Sequence, residues 1–155
     1  VVMASKSYFD IIWCVADLAN LPFREEKFDV ILNILSPANY KEFSRTLKDE
    51  GLLIKVVPGS KYLKELREVF YYQTEKQTYS NDKIIEHYTD NFKILEMREL
   101  LYTITLDKAN LRHLIKMTPL SWTASEAEIE EVLKQEIHSI TADFTVIIGK
   151  PSVGS

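Results

Sequence analysis

Three stretches in the first part of the chain are dominated by apolar residues at strand length: Ile11 to Val15, Phe28 to Leu35 and Leu52 to Val57. Apolar side chains on both faces predict buried strands of a parallel sheet. The first stretch ends on Ala16-Asp17 and the second carries Asn33 near its carboxyl end. Each therefore delivers a polar group to the sheet edge at which open α/β sheets bind ligands. Between the second and third stretches, Tyr40, Phe43 and Leu47 recur at helical spacing. Asp49-Glu50-Gly51 predicts the stop, because glycine accepts the left-handed conformation that follows a helix. A helix of this length joining two strands sets them parallel, with a right-handed crossover.

Downstream the rhythm becomes helical. Leu63, Leu66, Val69 and Phe70 form a stripe, with Ser60 as its cap and an end near Tyr72-Gln73-Thr74. From Glu75 to Asn91 the chain turns polar, with Ser80-Asn81-Asp82 capping a short Lys83 to Tyr88 helix, and the stretch reads as a mobile insertion. Phe92 to Leu106 mixes alternation with β-branched residues and predicts one long or bent strand, or two in succession. Asp107 then caps a helix whose apolar face is Leu111, Leu114 and Ile115. Pro119 ends that helix by forcing Thr118 out of the helical region. Ser125 and Glu128 have capping-box spacing ahead of Ile129, Val132, Leu133 and Ile137. Phe144 to Ile148 closes the pattern as a strand, stopped by Gly149 and Pro151.

The chain has 155 residues, 46% hydrophobic and 27% charged, which suits one soluble globular unit. Its 4 glycines include no Gly-x-Gly spacing, so no phosphate-cradling or dinucleotide-binding loop lies within it. The single Cys14 sits in a predicted strand, where a thiol behaves as a small hydrophobe, and it can form no internal disulfide. No apolar run approaches a bilayer span and no signal-peptide pattern is present, so a cytoplasmic location without membrane contact is the expectation. His87, His113 and His138 have no second ligand at metal-binding spacing, and no metal site is expected.

The net charge of −4, from 19 basic and 23 acidic residues, has the wrong sign for a module held mainly by RNA phosphates. Any basic patch has to come from Lys41, Arg45, Lys48, Lys61, Lys64 and Arg67, which read equally as solvated helix faces.

The order of Cys14-Val15-Ala16, Leu21-Pro22-Phe23, Pro37-Ala38, Pro58-Gly59, Met117-Thr118-Pro119-Leu120-Ser121-Trp122 and Thr141-Ala142-Asp143-Phe144 carries a resemblance over nearly the whole chain. It resembles the carboxyl-terminal part of the bacterial guanine-N1 methyltransferases of large-subunit ribosomal RNA, which use S-adenosylmethionine. The resemblance implies an α/β, Rossmann-like class I methyltransferase sheet lacking its first strands, with the last strand antiparallel. The family also has an upstream zinc ribbon, which holds its zinc, and a glycine-rich turn for the methionine part of the cofactor. Neither occurs here. With Val1 in place of an initiator Met, residues 1–155 are expected to be the carboxyl-terminal part of one methyltransferase domain in a longer enzyme.

The same resemblance assigns site residues. Asp17 would accept from the adenine amine and Leu18 would wall the ring, while Tyr62 stands where the family has a cofactor-contacting His. Asn33 and Ser36 would form the catalytic acceptor turn, Asn33 by positioning, because an amide orients donors and is a poor base. Pro37, Thr118, Pro119 and Trp122 would line the pocket for a base withdrawn from its RNA. Each also has a plainer reading: Asp17 and Asn33 as turn formers, Tyr62 as a helix-surface ring, Trp122 as packing at a helix end. Ribosomal RNA is the implied partner, and a homodimer is compatible. A small-metabolite methyltransferase and a silent interaction domain remain as alternatives, the first favoured by the acidic charge.

Overall fold

A computed structural model describes residues 2–8, 10–71, 79–135 and 139–152. Its centre is a four-stranded sheet in the order β1-β2-β4-β3. The strands are β1 (Phe28–Ile34), β2 (Leu47–Pro58), β3 (Phe92–Thr105) and β4 (Ser139–Pro151). The helices are α1 (Val2–Ser7), α2 (Tyr40–Thr46), α3 (Lys64–Phe70), α4 (Asp82–Thr89), α5 (Lys108–Met117) and α6 (Glu126–Lys134). β1 and β2 are parallel, joined through α2, as their spacing predicts. β4 runs antiparallel to both β2 and β3, so the last strand is inserted against the direction of its parallel neighbours.

Among the described residues, two hydrophobic clusters hold the fold. Tyr40 and Phe43 of α2, Tyr88 of α4 and Phe92 pack on Leu53, Val57 and Ile147 of the sheet. Leu66, Leu111, Ile115, Ile129 and Leu133 join α3, α5 and α6 around Ile140 at the start of β4. Full burial of each such side chain contributes roughly 1.5–3 kcal/mol.

Local signals explain many boundaries. Asp107 accepts the Asn110 N–H at 2.7 Å and starts α5, which ends at Met117 with Thr118 extended ahead of Pro119. The Ser125 and Glu128 capping box is formed in both directions at the start of α6. Ile137 and His138 lie outside the described residues, as do Tyr72-Gln73-Thr74.

Several expectations are corrected. Ile11 to Val15 is not a strand: Ile12 is 95% exposed, and Cys14 is an exposed free thiol. A strand needs a neighbour to satisfy its backbone, and no described strand lies beyond the outer edge of β1. β1 forms as expected, yet Val30, Leu32 and Ile34 are exposed, because the described helices packed on it, like Leu18 and Leu21, cover its other face.

Asp49-Glu50-Gly51 does not stop a helix. α2 ends at Thr46, and Leu47 already pairs with Phe28, after which the register jumps to Val30 opposite Leu52. Residues 48–51 stand opposite Asp29 alone there, and the position of Gly51 admits no side chain, since a Cβ would meet Leu47 Cδ2 and the Lys48 carbonyl at 2.9 Å.

Ser60 is not a helix cap. The turn before α3 is held by Asp143, which takes the Lys61 N–H at 2.8 Å, and α3 starts from a left-handed Leu63 with φ of 52°. The described part of the supposed insertion, residues 79–91, is anchored on the core through Tyr88, Ile84 and Ile85: Tyr88 is fully buried and donates to the Leu53 carbonyl at 2.9 Å. Gly149 does not stop β4 but lies inside it, leaving room for the Tyr88 hydroxyl.

Candidate base-binding site

The carboxyl ends of β1 and β2 open into a cavity of about 680 Å³. Its polar side is Ser36 and Lys55, and its apolar side includes Val57, Ile84 and Leu114, with Pro37, Met117, Pro119 and Trp122 also lining it. The site lies between the two hydrophobic clusters, so packed side chains fix its walls from both sides.

The turn after β1 is over-determined. Leu35 is left-handed with φ of 49°, and its N–H donates to Val56 O at 3.0 Å. Behind it, Asn33 is only 5% exposed, and its amide donates to Ser36 Oγ and the Pro37 carbonyl, both at 2.8 Å. Asn33 Oδ1 accepts from the Lys55 ammonium, its direct partner in the parallel register. The amide hydrogens of Asn33 are thus spent on shaping the turn after β1, the candidate acceptor turn. Lys55 also donates to the Ser36 carbonyl at 3.3 Å, and burial lowers its pKa below the ordinary lysine value.

Across the cavity, Thr118 is buried at the end of α5. Ser121 donates to the Thr118 carbonyl at 3.2 Å and to the Ile115 carbonyl, tightening the Pro119–Ser121 turn. That turn leaves Trp122 74% exposed, with Met117 likewise open. The Tyr62 ring stacks obliquely on Phe144 at 5.1 Å between centroids, and burial raises its hydroxyl pKa. Polar groups on one wall and exposed apolar surface on another suit a planar heteroaromatic ligand.

The sequence-derived candidates divide between two places. Ser36, Pro37, Tyr62, Thr118, Pro119 and Trp122 line this cavity, with Asn33 directly behind Ser36. Asp17 and Leu18 instead line a separate depression of about 520 Å³ with Asn39, Tyr40 and His87. Asp17 Oδ1 accepts the Ala19 N–H at 2.9 Å, a turn-forming bond that leaves Oδ2 open to an amine. Tyr62 therefore lies with the acceptor-turn residues and not beside Asp17.

Lys55 is a lining residue that no motif in the sequence points to, whereas Met117 belongs to the Met117 to Trp122 motif. A lysine inside Leu52-Leu53-Ile54-Lys55-Val56-Val57 was the available signal, since a charge inside an apolar strand is rarely buried without a task. Half of the candidate basic patch is engaged within the chain, while Lys41, Lys61 and Lys64 are exposed and outside the ion pairs of the described residues. Arg45 is bound to Glu42, Lys48 to Asp29, and the buried Arg67 lies 4.6 Å from the Tyr79 ring centroid. Among the described residues there is no group of three potential metal ligands, and no helix is long and apolar enough to cross a membrane.

No family model matches the chain. A Bacillus subtilis protein provisionally named a 23S rRNA guanine-N1 methyltransferase is 43% identical over 149 residues, or 96% of this chain and 53% of that protein. A Streptomyces fradiae protein named as the N1 methyltransferase of guanine 748 in 23S rRNA is 26% identical, over 88% of this chain and 50% of its own length. The chain spans about half the length of the curated relatives it matches.

Among solved structures, a Pyrococcus horikoshii protein superposes with a TM-score of 0.53 at 12% identity, covering 97% of this chain and 65% of that one. The cyclase SpnF gives 0.53 at 12% identity, covering 98% and 62%. A Haloferax volcanii protein provisionally named a methyltransferase, solved with an activator, gives 0.51 at 16% identity, covering 96% and 66%. The fold is the Rossmann-like one of class I methyltransferases. A cyclase shares it, so the fold alone does not fix the reaction.

Proposed function

We propose that this chain, homologous along nearly its whole length to proteins named as 23S rRNA guanine-N1 methyltransferases, is the carboxyl-terminal part of one methyltransferase domain in such an enzyme. The observation that carries the reading is the cavity at the ends of β1 and β2, polar at Ser36 and Lys55 and apolar at Pro119 and Trp122. A base drawn out of an RNA stack needs an apolar surface to replace its neighbours and polar groups to read its edge. Trp122 and Pro119 supply the first, and the acceptor turn supplies the second.

S-adenosylmethionine, when bound, supplies an electrophilic methyl group. Asp17 fits the adenine end, with an open carboxylate oxygen for the exocyclic amine and Leu18 as an apolar wall. The methionine end has no counterpart here, because the chain has no Gly-x-Gly turn. Asn33 and Ser36 fix where the acceptor nitrogen lies, and placement is the main task in an in-line methyl transfer. A ribosomal RNA substrate also implies a cytoplasmic enzyme.

Incubating the full-length enzyme with unmodified 23S rRNA and S-adenosylmethionine, followed by nucleoside mass spectrometry, tests this. The expected product is 1-methylguanosine. Methylation at another guanine atom, or none, would reject the reading. A small-metabolite acceptor is the second reading, supported by the charge of −4 and by the internal engagement of Arg45, Lys48 and Arg67. Turnover of free guanine nucleotides at a rate that RNA does not compete with would favour it.

A further inference from the structure

We propose that the Lys55 ammonium binds the ring carbonyl of the acceptor base and stabilises the negative charge that gathers there when the neighbouring ring nitrogen loses its proton. This rests on the base-methylation reading and names a group within that same site.

Lys55 is 4% exposed in the middle of an apolar strand. The ion pairs of the described residues join other groups, and none brings a carboxylate to Lys55. A buried ammonium without a counter-charge is costly to the fold, and such groups persist mainly where a site uses them. The two acceptors that hold Lys55, Asn33 Oδ1 and the Ser36 carbonyl, are both neutral. They take two of the ammonium's three donors. Both belong to the acceptor turn, so the charge is fixed in place before any ligand arrives.

Lys55 lines the cavity, and among the described residues the other titratable one lining it is Tyr62. The packed elements otherwise contribute neutral groups: Asn33 from β1, Ile84 from α4, and Leu114 and Met117 from α5. Among the described residues, a ligand acceptor entering the cavity therefore meets one fixed cation, Lys55, and one phenol, Tyr62.

Guanine N1 is amide-like and a weak nucleophile while protonated. When its proton passes to water, the electron pair spreads onto O6, where a pre-placed donor strengthens as charge develops. The pair on N1 then forms the new N–C bond while the donor's C–S bond breaks and its electrons remain on sulfur. Lys55 stays an ammonium throughout. Adenine would present an amino group in place of O6 and set N–H against the cation, so the same contact selects a ring carbonyl.

The test uses the full-length enzyme with Lys55→Gln, Lys55→Met and Lys55→Arg, in single-turnover assays across pH. Removing one such donor typically slows the chemical step about a hundredfold or more. Lys55→Gln and Lys55→Met are expected to lose that much, with the rate still rising at pH values where the wild type has levelled. Lys55→Arg, which keeps a donor and a charge, is expected to stay within about tenfold of the wild type. A second readout needs no turnover. With S-adenosylhomocysteine and RNA carrying 6-thioguanine, ultraviolet titration should find N1 ionising at lower pH on the wild type than on Lys55→Gln.

An unchanged rate and pH profile in Lys55→Gln would overturn the proposal. A folded Lys55→Arg as slow as Lys55→Gln would make Lys55 a base and overturn it equally. Loss of the cooperative melt in all three variants would assign Lys55 to the fold. Failure of the wild type to make 1-methylguanosine would instead reject the function on which the inference rests.

Discussion

Arg45 grips both carboxylate oxygens of Glu42, at 2.9 and 2.7 Å, and reaches past them to the carbonyls of Phe23 and Leu21 at 2.8 and 3.1 Å. Glu42 in turn accepts the Leu21 N–H at 2.8 Å. The pair clamps the Leu21-Pro22-Phe23 turn onto α2, and so anchors the chain between Asp17 and β1. A fork-shaped guanidinium suits this task better than an ammonium.

That clamp predicts an acid-sensitive fold. Arg45, with the Leu21 N–H, holds the Glu42 carboxyl well below its ordinary 4.5, at about 2. A depressed folded pKa contributes stability that is complete above the unfolded value and is lost as pH falls through the folded one. Thermal melts of the wild type should therefore lose this contribution between about pH 4.5 and 2. Glu42→Gln should melt lower at neutral pH and show a shallower decline over that interval. Parallel curves for the two proteins would contradict the assignment.

Asn33→Ala should destabilise the fold by roughly 1–3 kcal/mol, because it strips a partner from the buried Lys55 ammonium and from Ser36 and Pro37. Urea denaturation followed by circular dichroism measures this. A change below about 0.5 kcal/mol, the usual scale of a surface substitution, would mean that the acceptor turn is not held by its amide.

Gly149→Ala should cost roughly 1–3 kcal/mol through overpacking, since a Cβ there would lie 2.6 Å from both the Lys93 carbonyl and the Tyr88 hydroxyl. Adding Tyr88→Phe removes one of the two obstacles and should make the paired loss smaller than the sum of the single losses. Strict additivity in a double-mutant cycle would contradict the close approach.

Trp122→Ala separates binding from folding. The indole is 74% exposed, so stability should change by no more than about 0.5 kcal/mol. If the indole replaces lost base stacking, RNA affinity of the full-length enzyme should fall by roughly 1–3 kcal/mol. Fluorescence anisotropy with a labelled RNA hairpin measures it, and unchanged affinity would remove Trp122 from the pocket wall.

Local chemistry was readable directly from the chain. Asp107, Pro119 and the Ser125 and Glu128 pair act within a few residues of themselves, and each boundary they mark is where the spacing placed it. Features that depend on distant partners were not readable. Ile11 to Val15 has strand composition, but a strand forms only against a neighbour. The start of α3 is controlled by Asp143, more than eighty residues away in sequence, so Ser60 looked like the cap by default. Gly149 resembled a stop because its true constraint is the Tyr88 ring packed against it. At the site, the acceptor turn and the Thr118 to Trp122 element converge on one cavity, while Asp17 and Leu18 line another. The burial of Lys55 has no local signature, because an apolar run conceals a single charge until its neighbours are placed.

The most direct test is a structure of the full-length enzyme bound to S-adenosylhomocysteine and a fragment of 23S rRNA. A guanine withdrawn from its stack into the cavity at the ends of β1 and β2 is expected, with Trp122 and Pro119 against its faces and its N1 edge toward Ser36 and Lys55. A target base seated elsewhere, with this cavity empty or filled by protein side chains, would contradict it.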